Sequence, residues 1–419
     1  MAAAAGARAR KESPLAETAI RDRPAEAAPP TCVAGLPLVA PGTPAVVAAA
    51  DALYRRGLYP ALGAFDAERV HEATLAWLAR LSGSPLVCRL LARLFVYDHP
   101  ALAVERLGLR FRGPLGLAAG CDKNGIAVPA LAALGFSHVE VGTITPVAQP
   151  GNPRPRVWRL RADGGLLNAM GFPSAGAGSV GGHLARWRRA VDGARPAVPI
   201  GVNVGKNKDT PIERAWGDYV RAFETLYPHG DYFVANISSP NTVGLRDLHA
   251  EELLAELGRA LRVRARTLAP PGTAPKPLLL KLSPDLSPGQ LDGTLAAAQA
   301  GGWSGLMLGN TTVGREGLRD PNRAHPGGVS GRPILPRTVA LVRALRQQMP
   351  RDWTLVAVGG IMDAEGAWQL LRAGADLVQA YTGFVYGGPA FAGLVHRGLV
   401  ARLARHGCRT LSEVVGADA

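Results

Sequence analysis

The sequence predicts an α/β fold, a closed (β/α)8 TIM barrel with a small helical segment in front of it, on three observations. Its 419 residues leave room for one barrel of about 250 residues and an appendage. Beyond Gly113, eight short apolar runs recur, each followed by a polar or glycine-rich turn and then a helical stretch. Connections of helix length return the chain to the same end of a sheet, which makes neighbouring strands parallel, and eight such units close a barrel. A doubly wound open sheet is the alternative, but the first run ends in AAGCDKNG and lacks the G-x-G-x-x-G of a dinucleotide fold.

Residues 1–45 read as a flexible tail rich in Ala, Pro and Arg, with Pro29, Pro30, Pro37, Pro41 and Pro44 blocking a long helix. Arg8, Arg10, Lys11, Arg21 and Arg23 are nearly matched by Glu12, Glu17, Asp22 and Glu26, unlike the acid-poor pattern of a mitochondrial transit peptide. Residues 46–100 are expected to form amphipathic helices. Asp66 is placed to cap one that carries Val70, Ala73, Trp77, Leu78 and Leu81 on one face and stops near Gly83. A second, between Pro85 and Val96, aligns Leu86, Leu90, Leu91, Leu94 and Phe95 beside Arg89 and Arg93. Such helices either pack on the main domain or lie in a membrane interface.

The barrel is expected over 101–408, with strands at Leu115–Gly120, His138–Thr145, Pro199–Lys206, Asp231–Ser238, Pro277–Ser283, Gly305–Thr312, Leu355–Ile361 and Leu377–Gly383. RPRVWRL and GGLLNAM, between the second and third, read as an inserted hairpin. Residues 409–419 are left as a C-terminal tail.

Composition narrows the function. With 51 Gly and 34 Pro against 47% hydrophobic residues, the chain reads as globular with many turns. The net charge of +14 fits compositional bias, a membrane surface or anionic ligands, and no basic run interleaved with aromatics suggests nucleic acid. Cys32, Cys88, Cys121 and Cys408 form no C-x-x-C pair and the nine histidines no metal-ligand spacing, so no metal is expected. No stretch of roughly 18 apolar residues is present, so any membrane contact is expected to be peripheral.

Active sites of such barrels gather at the carboxyl ends of the strands. Those ends carry Asp122, Lys123 and Asn124; Thr143 and Thr145; Asn203, Lys206 and Asn207; Asn236, Ser238, Ser239 and Asn241; Lys281; Asn310, Thr311 and Thr312; Gly359 and Gly360; Tyr381 and Thr382. Histidine is absent and carboxylates are few, which disfavours triad or carboxylate-pair hydrolysis. Amides match the edges of a planar heterocycle, lysine favours an anionic reduced ring, and glycine N–H groups suit a phosphate.

The stretches AAGCDKNG, VEVGTITPVAQPGNPRPRVWRL, GVNVGKNKDTP, NISSPNTVGLR, KLSPDLS, GNTT, GGVSGRP, VGGI and GADLVQAYTGF resemble, in order, the signatures of dihydroorotate dehydrogenase. The resemblance covers roughly residues 50–415. The serine in NISSPN and the N-terminal helices are similar to the quinone-dependent, membrane-associated class rather than the soluble class, whose base is Cys.

This resemblance implies an FMN enzyme that oxidises dihydroorotate to orotate in pyrimidine synthesis and passes electrons to a membrane quinone. It implies Ser239 as the base, with Thr242 and the loop around Phe172 as relay elements. Lys123, Asn168, Met170, Gly171, Phe172, Asn236, Asn241, Asn310 and Thr311 match substrate positions. Ala119, Gly120, Lys123, Gly142, Thr143, Asn203, Asn236, Lys281, Ser330, Gly331, Gly359, Gly360, Tyr381 and Thr382 match FMN positions. Val157 and Arg159 resemble the lining of a quinone tunnel floored by the two helices, which would then be a membrane-docking segment. The expected setting is peripheral, on the cytoplasmic side of a bacterial inner membrane or, alternatively, on a mitochondrial inner membrane. The expected state is monomer or weak dimer, with no nucleic-acid partner.

The chain departs from the family pattern at Ala169 and Pro173, where arginine and asparagine are usual, at Gly309, where threonine is common, and at Cys121. A flavin-dependent tRNA dihydrouridine synthase, a flavin- or pyrimidine-binding barrel without turnover, and a lysine-dependent lyase built on Lys281 are the rival readings.

Overall fold

The computed structural model describes residues 42–189, 198–238 and 251–419. Ser239, Asn241 and Thr242 lie outside the described residues, as does nearly all of the predicted tail.

Eight strands close a barrel: β1 Leu115–Leu117, β2 Val139–Ile144, β3 Ile200–Val204, β4 Tyr232–Asn236, β5 Leu278–Leu282, β6 Gly305–Leu308, β7 Thr354–Val358 and β8 Leu377–Ala380. Each falls inside a predicted run except β7, which starts one residue earlier. Neighbours in sequence are neighbours in the sheet, all parallel, and β8 closes on β1 through Val378↔Leu115 and Ala380↔Leu117. The strands are buried on both faces, so they appear as apolar runs rather than as alternating ones. Outward side chains such as Val141, Val202 and Leu280 join the surrounding helices in one core. Inward ones, including Tyr232, Val234, Leu279, Met307 and Val356, form a second. An antiparallel hairpin, Val104–Arg106 with Leu109–Phe111, packs the fully buried Phe111 against this second core. Phe111 meets His138 and Tyr232, which stand at the amino ends of β2 and β4, so the hairpin closes that end of the barrel.

The N-terminal segment forms α1 Ala45–Leu53, a wider helical turn at Tyr54–Leu58, a short helix Tyr59–Leu62, then α2 Ala67–Ser82 and α3 Pro85–Phe95. Asp66 accepts a hydrogen bond from the Arg69 N–H at 2.9 Å and Gly83 follows the last turn, as the sequence predicts. Packing on the barrel and exposure to the surroundings both occur, on opposite faces. Val47, Leu78 and Phe95 belong to the main core, and the Ser82 hydroxyl accepts from the Ala130 N–H at 3.0 Å. Leu53, Leu58, Phe65, Trp77, Leu86 and Leu90 are exposed.

The inserted hairpin is present as Val157–Leu160 paired antiparallel with Gly165–Asn168. A third strand, Gly328–Gly331, adds to it through Gly328↔Asn168. The last residues are packed: Leu411 and Val414 are buried and Arg372 pairs with Asp418. Among the described residues, no helix is long and apolar enough to cross a membrane.

Candidate active site

One cavity of about 1310 Å³ opens over the carboxyl ends of the strands and runs out beneath the N-terminal helices. At the barrel rim it meets the ends of β1, β2, β4, β5, β6, β7 and β8 through Ala119, Thr143, Asn236, Lys281, Asn310, Gly359 and Tyr381. Gly120, Lys123, Thr311, Gly360 and Thr382 complete that rim. The three-stranded insertion forms one side through Asn168, Ser330 and Gly331, and the loop after it adds Met170, Gly171 and Phe172. Val157 and Arg159 line the same space farther out, with Tyr54, Leu58, Val70, His71 and Leu94 of the helical segment.

Of the predicted site residues, Gly142 and Asn203 stand behind this surface. Gly142 has φ +110, and a Cβ there would lie 2.3 Å from the Asn203 carbonyl oxygen, so only glycine lets β2 and β3 come this close. Asn203 is fully buried, accepts from the Thr143 hydroxyl at 2.7 Å and donates to Glu140 at 2.8 Å. Gly309 is equally constrained. With φ +114 and a Cβ position 1.8 Å from the Val358 carbonyl oxygen, it admits no side chain in this backbone conformation.

The rim is polar and tightly hydrogen-bonded. Asn236 donates to Thr143 at 2.8 Å and accepts from the Ser238 hydroxyl at 2.9 Å, and Asn310 donates to Ser238 at 2.9 Å. Ser330 and Thr382 share a hydroxyl bond of 2.8 Å. Lys281 and Lys123 bring positive charge to the rim. Burial pulls both ammonium groups below the usual lysine range, opposed at Lys281 by Glu140 and at Lys123 by Glu68. The Lys123 ammonium donates to the Gly120 carbonyl at 2.7 Å. Burial likewise pushes the Cys121 thiol up to about 12, which leaves it an inert apolar filler.

At the outer end Arg159 was expected, whereas Glu68, His71, Arg154, Arg156, Tyr54, Tyr59 and Tyr386 escaped sequence reasoning. Glu68 on α2 receives Arg156 in a buried ion pair at 2.7 Å, and Arg154 reaches both Glu68 and Glu72, so α2 is tied to the insertion by charge. Arg159 donates to the Phe65 carbonyl at 2.8 Å and so anchors the turn before α2. The His71 ring lies 5.9 Å from that of Tyr381, and burial with nearby Lys123 holds its imidazole down at about 3, neutral across the physiological range. The tyrosines Tyr54, Tyr59 and Tyr386 cluster with ring centres 4.9 and 6.1 Å apart, and Tyr386 donates to the Gly165 carbonyl. The alternation of arginines in RPRVWRL was the available signal for Arg156; the acids of α2 read as an ordinary solvated face.

Glu68 is the only carboxylate among the described residues lining the cavity, and it is already paired. The arrangement therefore offers no carboxylate couple for hydrolysis. It offers amides, hydroxyls and two cations at the rim, suited to a planar anionic heterocycle, and an apolar passage at the other end.

Comparison with known proteins agrees with this geometry. The family model described as dihydroorotate dehydrogenase matches residues 101–403. The chain is 49% identical over 366 residues to the dihydroorotate dehydrogenase (quinone) of Anaeromyxobacter dehalogenans strain 2CP-C, covering 86% of this chain and 97% of the relative. It is 46% identical over 360 residues to the protein of the same name from Roseiflexus castenholzii, covering 86% and 95%. Among solved structures, DHODH from Eimeria tenella in complex with ferulenol superposes with a TM-score of 0.77 at 34% identity, over 84% of this chain and 96% of that one. Fold, rim chemistry and sequence thus agree that this chain belongs to the dihydroorotate dehydrogenase family.

Proposed function

We propose that the protein oxidises dihydroorotate to orotate in pyrimidine synthesis, with FMN as hydride acceptor and a membrane quinone as final oxidant. The observation that carries this reading is the single cavity with a polar, lysine-bearing rim at one end and an apolar exit beneath exposed helices at the other. Membership of the family implies a flavin, and the rim fits one: Asn236 and Thr143 supply donors and acceptors, with Asn203 holding Thr143 from behind, and Lys281 supplies a buried cation. The backbone at Gly331, Gly359 and Gly360 is bare enough to approach a phosphate. Ala119, Gly120, Tyr381 and Thr382 would complete that hold. Bound flavin supplies two-electron chemistry, accepting a hydride and later passing the electron pair on.

The chain's own residues position the substrate and move the proton. Dihydroorotate loses a proton from one ring carbon and a hydride from the next, leaving the ring double bond of orotate. Ser239, one residue beyond the buried Ser238, is the proposed base. Asn168, Asn236, Asn241, Asn310 and Thr311 would read the ring edges, with Met170, Gly171 and Phe172 as a wall, and Lys123 would balance the carboxylate. Quinone would enter past Val157 and Arg159, leaving as quinol after taking up two electrons and two protons. The exposed side chains Leu53, Leu58, Phe65, Trp77, Leu86 and Leu90, with Arg89 and Arg93 nearby, support peripheral docking on a membrane. We place this on the cytoplasmic side of a bacterial inner membrane, the protein acting as monomer or weak dimer.

The test is to purify the protein with detergent, record its visible spectrum and add dihydroorotate without oxygen. A flavin spectrum that bleaches and recovers on adding a quinone is expected. A colourless protein that takes up no flavin would overturn the reading, and recovery with fumarate in preference to quinone would move the chain to the soluble class.

A further inference from the structure

We propose that Glu140, sealed inside the barrel, is a positioning residue that fixes the direction of the first links, Asn203 and Thr143, in a chain of side-chain hydrogen bonds that continues through Asn236, Ser238 and Asn310. It thereby fixes which atoms these groups turn toward the bound rings, an inference that rests on the proposed function for the identity of those rings.

Glu140 is fully buried on β2. One of its oxygens accepts from Asn203 Nδ2 at 2.8 Å, and the other accepts from Gln379 Nε2 at 2.9 Å and from the Tyr232 hydroxyl at 3.4 Å. An ionised carboxylate only accepts, whereas an asparagine amide can present either end and a hydroxyl can do both. The first link therefore has one sense, and it dictates the next. With Nδ2 spent on Glu140, Asn203 turns Oδ1 toward the Thr143 hydroxyl, which donates to it at 2.7 Å. Having given up its proton, that hydroxyl can only accept, and it takes Asn236 Nδ2 at 2.8 Å. Asn236 then turns Oδ1 toward Ser238, which donates to it from both its hydroxyl, at 2.9 Å, and its N–H, at 3.1 Å. The Ser238 oxygen accepts from Asn310 Nδ2 at 2.9 Å, and Asn310 Oδ1 accepts from the Thr311 N–H at 2.9 Å.

The far half of this chain has anchors of its own, the backbone N–H groups of Ser238 and Thr311. Its near half, Asn203 and Thr143, has only Glu140. If Asn203 turned over, its oxygen would face the carboxylate and Thr143 would face two N–H donors, leaving its own proton without an acceptor among these side chains. The charge of Glu140 thus acts on the rim at Thr143 through Asn203 and touches no ligand.

The test titrates orotate into the flavin-loaded full-length protein, read from the shift of the flavin absorbance, for wild type, Glu140→Gln, Thr143→Val, the double variant and Tyr232→Phe. An amide at 140 fits the same space but has no preferred sense, so Glu140→Gln and Thr143→Val should each weaken orotate binding by about tenfold. Because both break one chain, the double variant should bind about as weakly as the worse single. Tyr232→Phe removes only two long contacts off the chain, to Glu140 at 3.4 Å and from Gln379 at 3.3 Å, and should stay within about twofold. Binding by Glu140→Gln within twofold of wild type, or losses that multiply in the double variant, would overturn the proposal. Should Glu140→Gln fail to fold, Thr143→Val against Tyr232→Phe decides, and equal affinities would count against the chain. A wild type that takes up flavin but binds no orotate overturns the proposed substrate instead. The chain is then read from the flavin absorbance maxima of the same proteins, and identical maxima would overturn it.

Discussion

At the barrel rim and just behind it, Asn203, Asn236, Ser238 and Lys281 are at most 3% exposed and, Lys281 apart, are held by side-chain hydrogen bonds of 2.7–3.1 Å. On the helical segment at the other end of the same cavity, Leu53 and Leu86 stand 71% and 61% exposed. The rim sits on eight paired strands whose backbone leaves little freedom, which suits a site that must hold a planar ring in one orientation. The helical segment meets the rest of the protein through its inner apolar face, the Glu68–Arg156 pair and a few hydrogen bonds such as Ser82–Ala130 and Arg159–Phe65. It suits a site that receives a flexible apolar molecule from a membrane. Changes at the rim should therefore affect reduction by dihydroorotate, and changes in the helices should affect reoxidation by quinone.

The largest separation is expected for Ser239→Ala, which should slow flavin bleaching about 10²–10⁴-fold while leaving flavin content and quinone reoxidation unchanged; stopped-flow traces of the two half-reactions check it. Lys281→Met removes the buried cation at the rim and should cost about 10²-fold in the same half-reaction, with weaker flavin retention measured by absorbance. At the other end, Arg156→Met leaves Glu68 buried with only the partly exposed Arg154, and should cost about 3 kcal/mol in denaturant unfolding. It should also slow reoxidation more than bleaching; equal losses would blur the division between the ends. Leu86→Glu with Leu90→Glu should reduce vesicle co-sedimentation while leaving both half-reactions in detergent within about twofold, since both side chains are exposed.

The smallest effect concerns pH. His71 sits at about 3 in the folded protein, against about 6.5 when unfolded. Between these values the unfolded chain binds the extra proton, so this group's contribution to stability is complete above pH 6.5 and is lost as pH falls toward 3. His138 and His396, also held at about 3 by burial, act in the same sense. His71→Gln should therefore melt less steeply with acidification than wild type, and identical slopes would refute the assignment.

Much of this architecture could be read from sequence because burial on both faces leaves an apolar run whose ends are marked by glycine or amide residues. That is why all eight strands and the rim positions from Ala119 to Thr382 were legible. The strand Gly328–Gly331 was not, since GVSG has neither alternation nor bulk and is a strand only because Asn168 and its neighbours pair with it. The helix from Ala45 was obscured by Gly57 and Pro60, which the chain accommodates with a wider turn at Tyr54–Leu58. Glu140 and Gln379 were hidden for the opposite reason. A single polar residue within an apolar strand looks like a solvated position, and only closure of the barrel turns it inward beside Asn203 and Tyr232. The proposed base and Asn241 lie outside the described residues, so their roles rest on resemblance.

The most direct measurement of the two-ended cavity is the rate at which a short-chain quinone reoxidises the reduced protein in the presence of saturating orotate. Separate ends predict an unchanged rate, because orotate occupies the rim while quinone arrives beneath the helices. A rate that falls to zero as orotate fills its site would show that both compete for one place, contradicting the account.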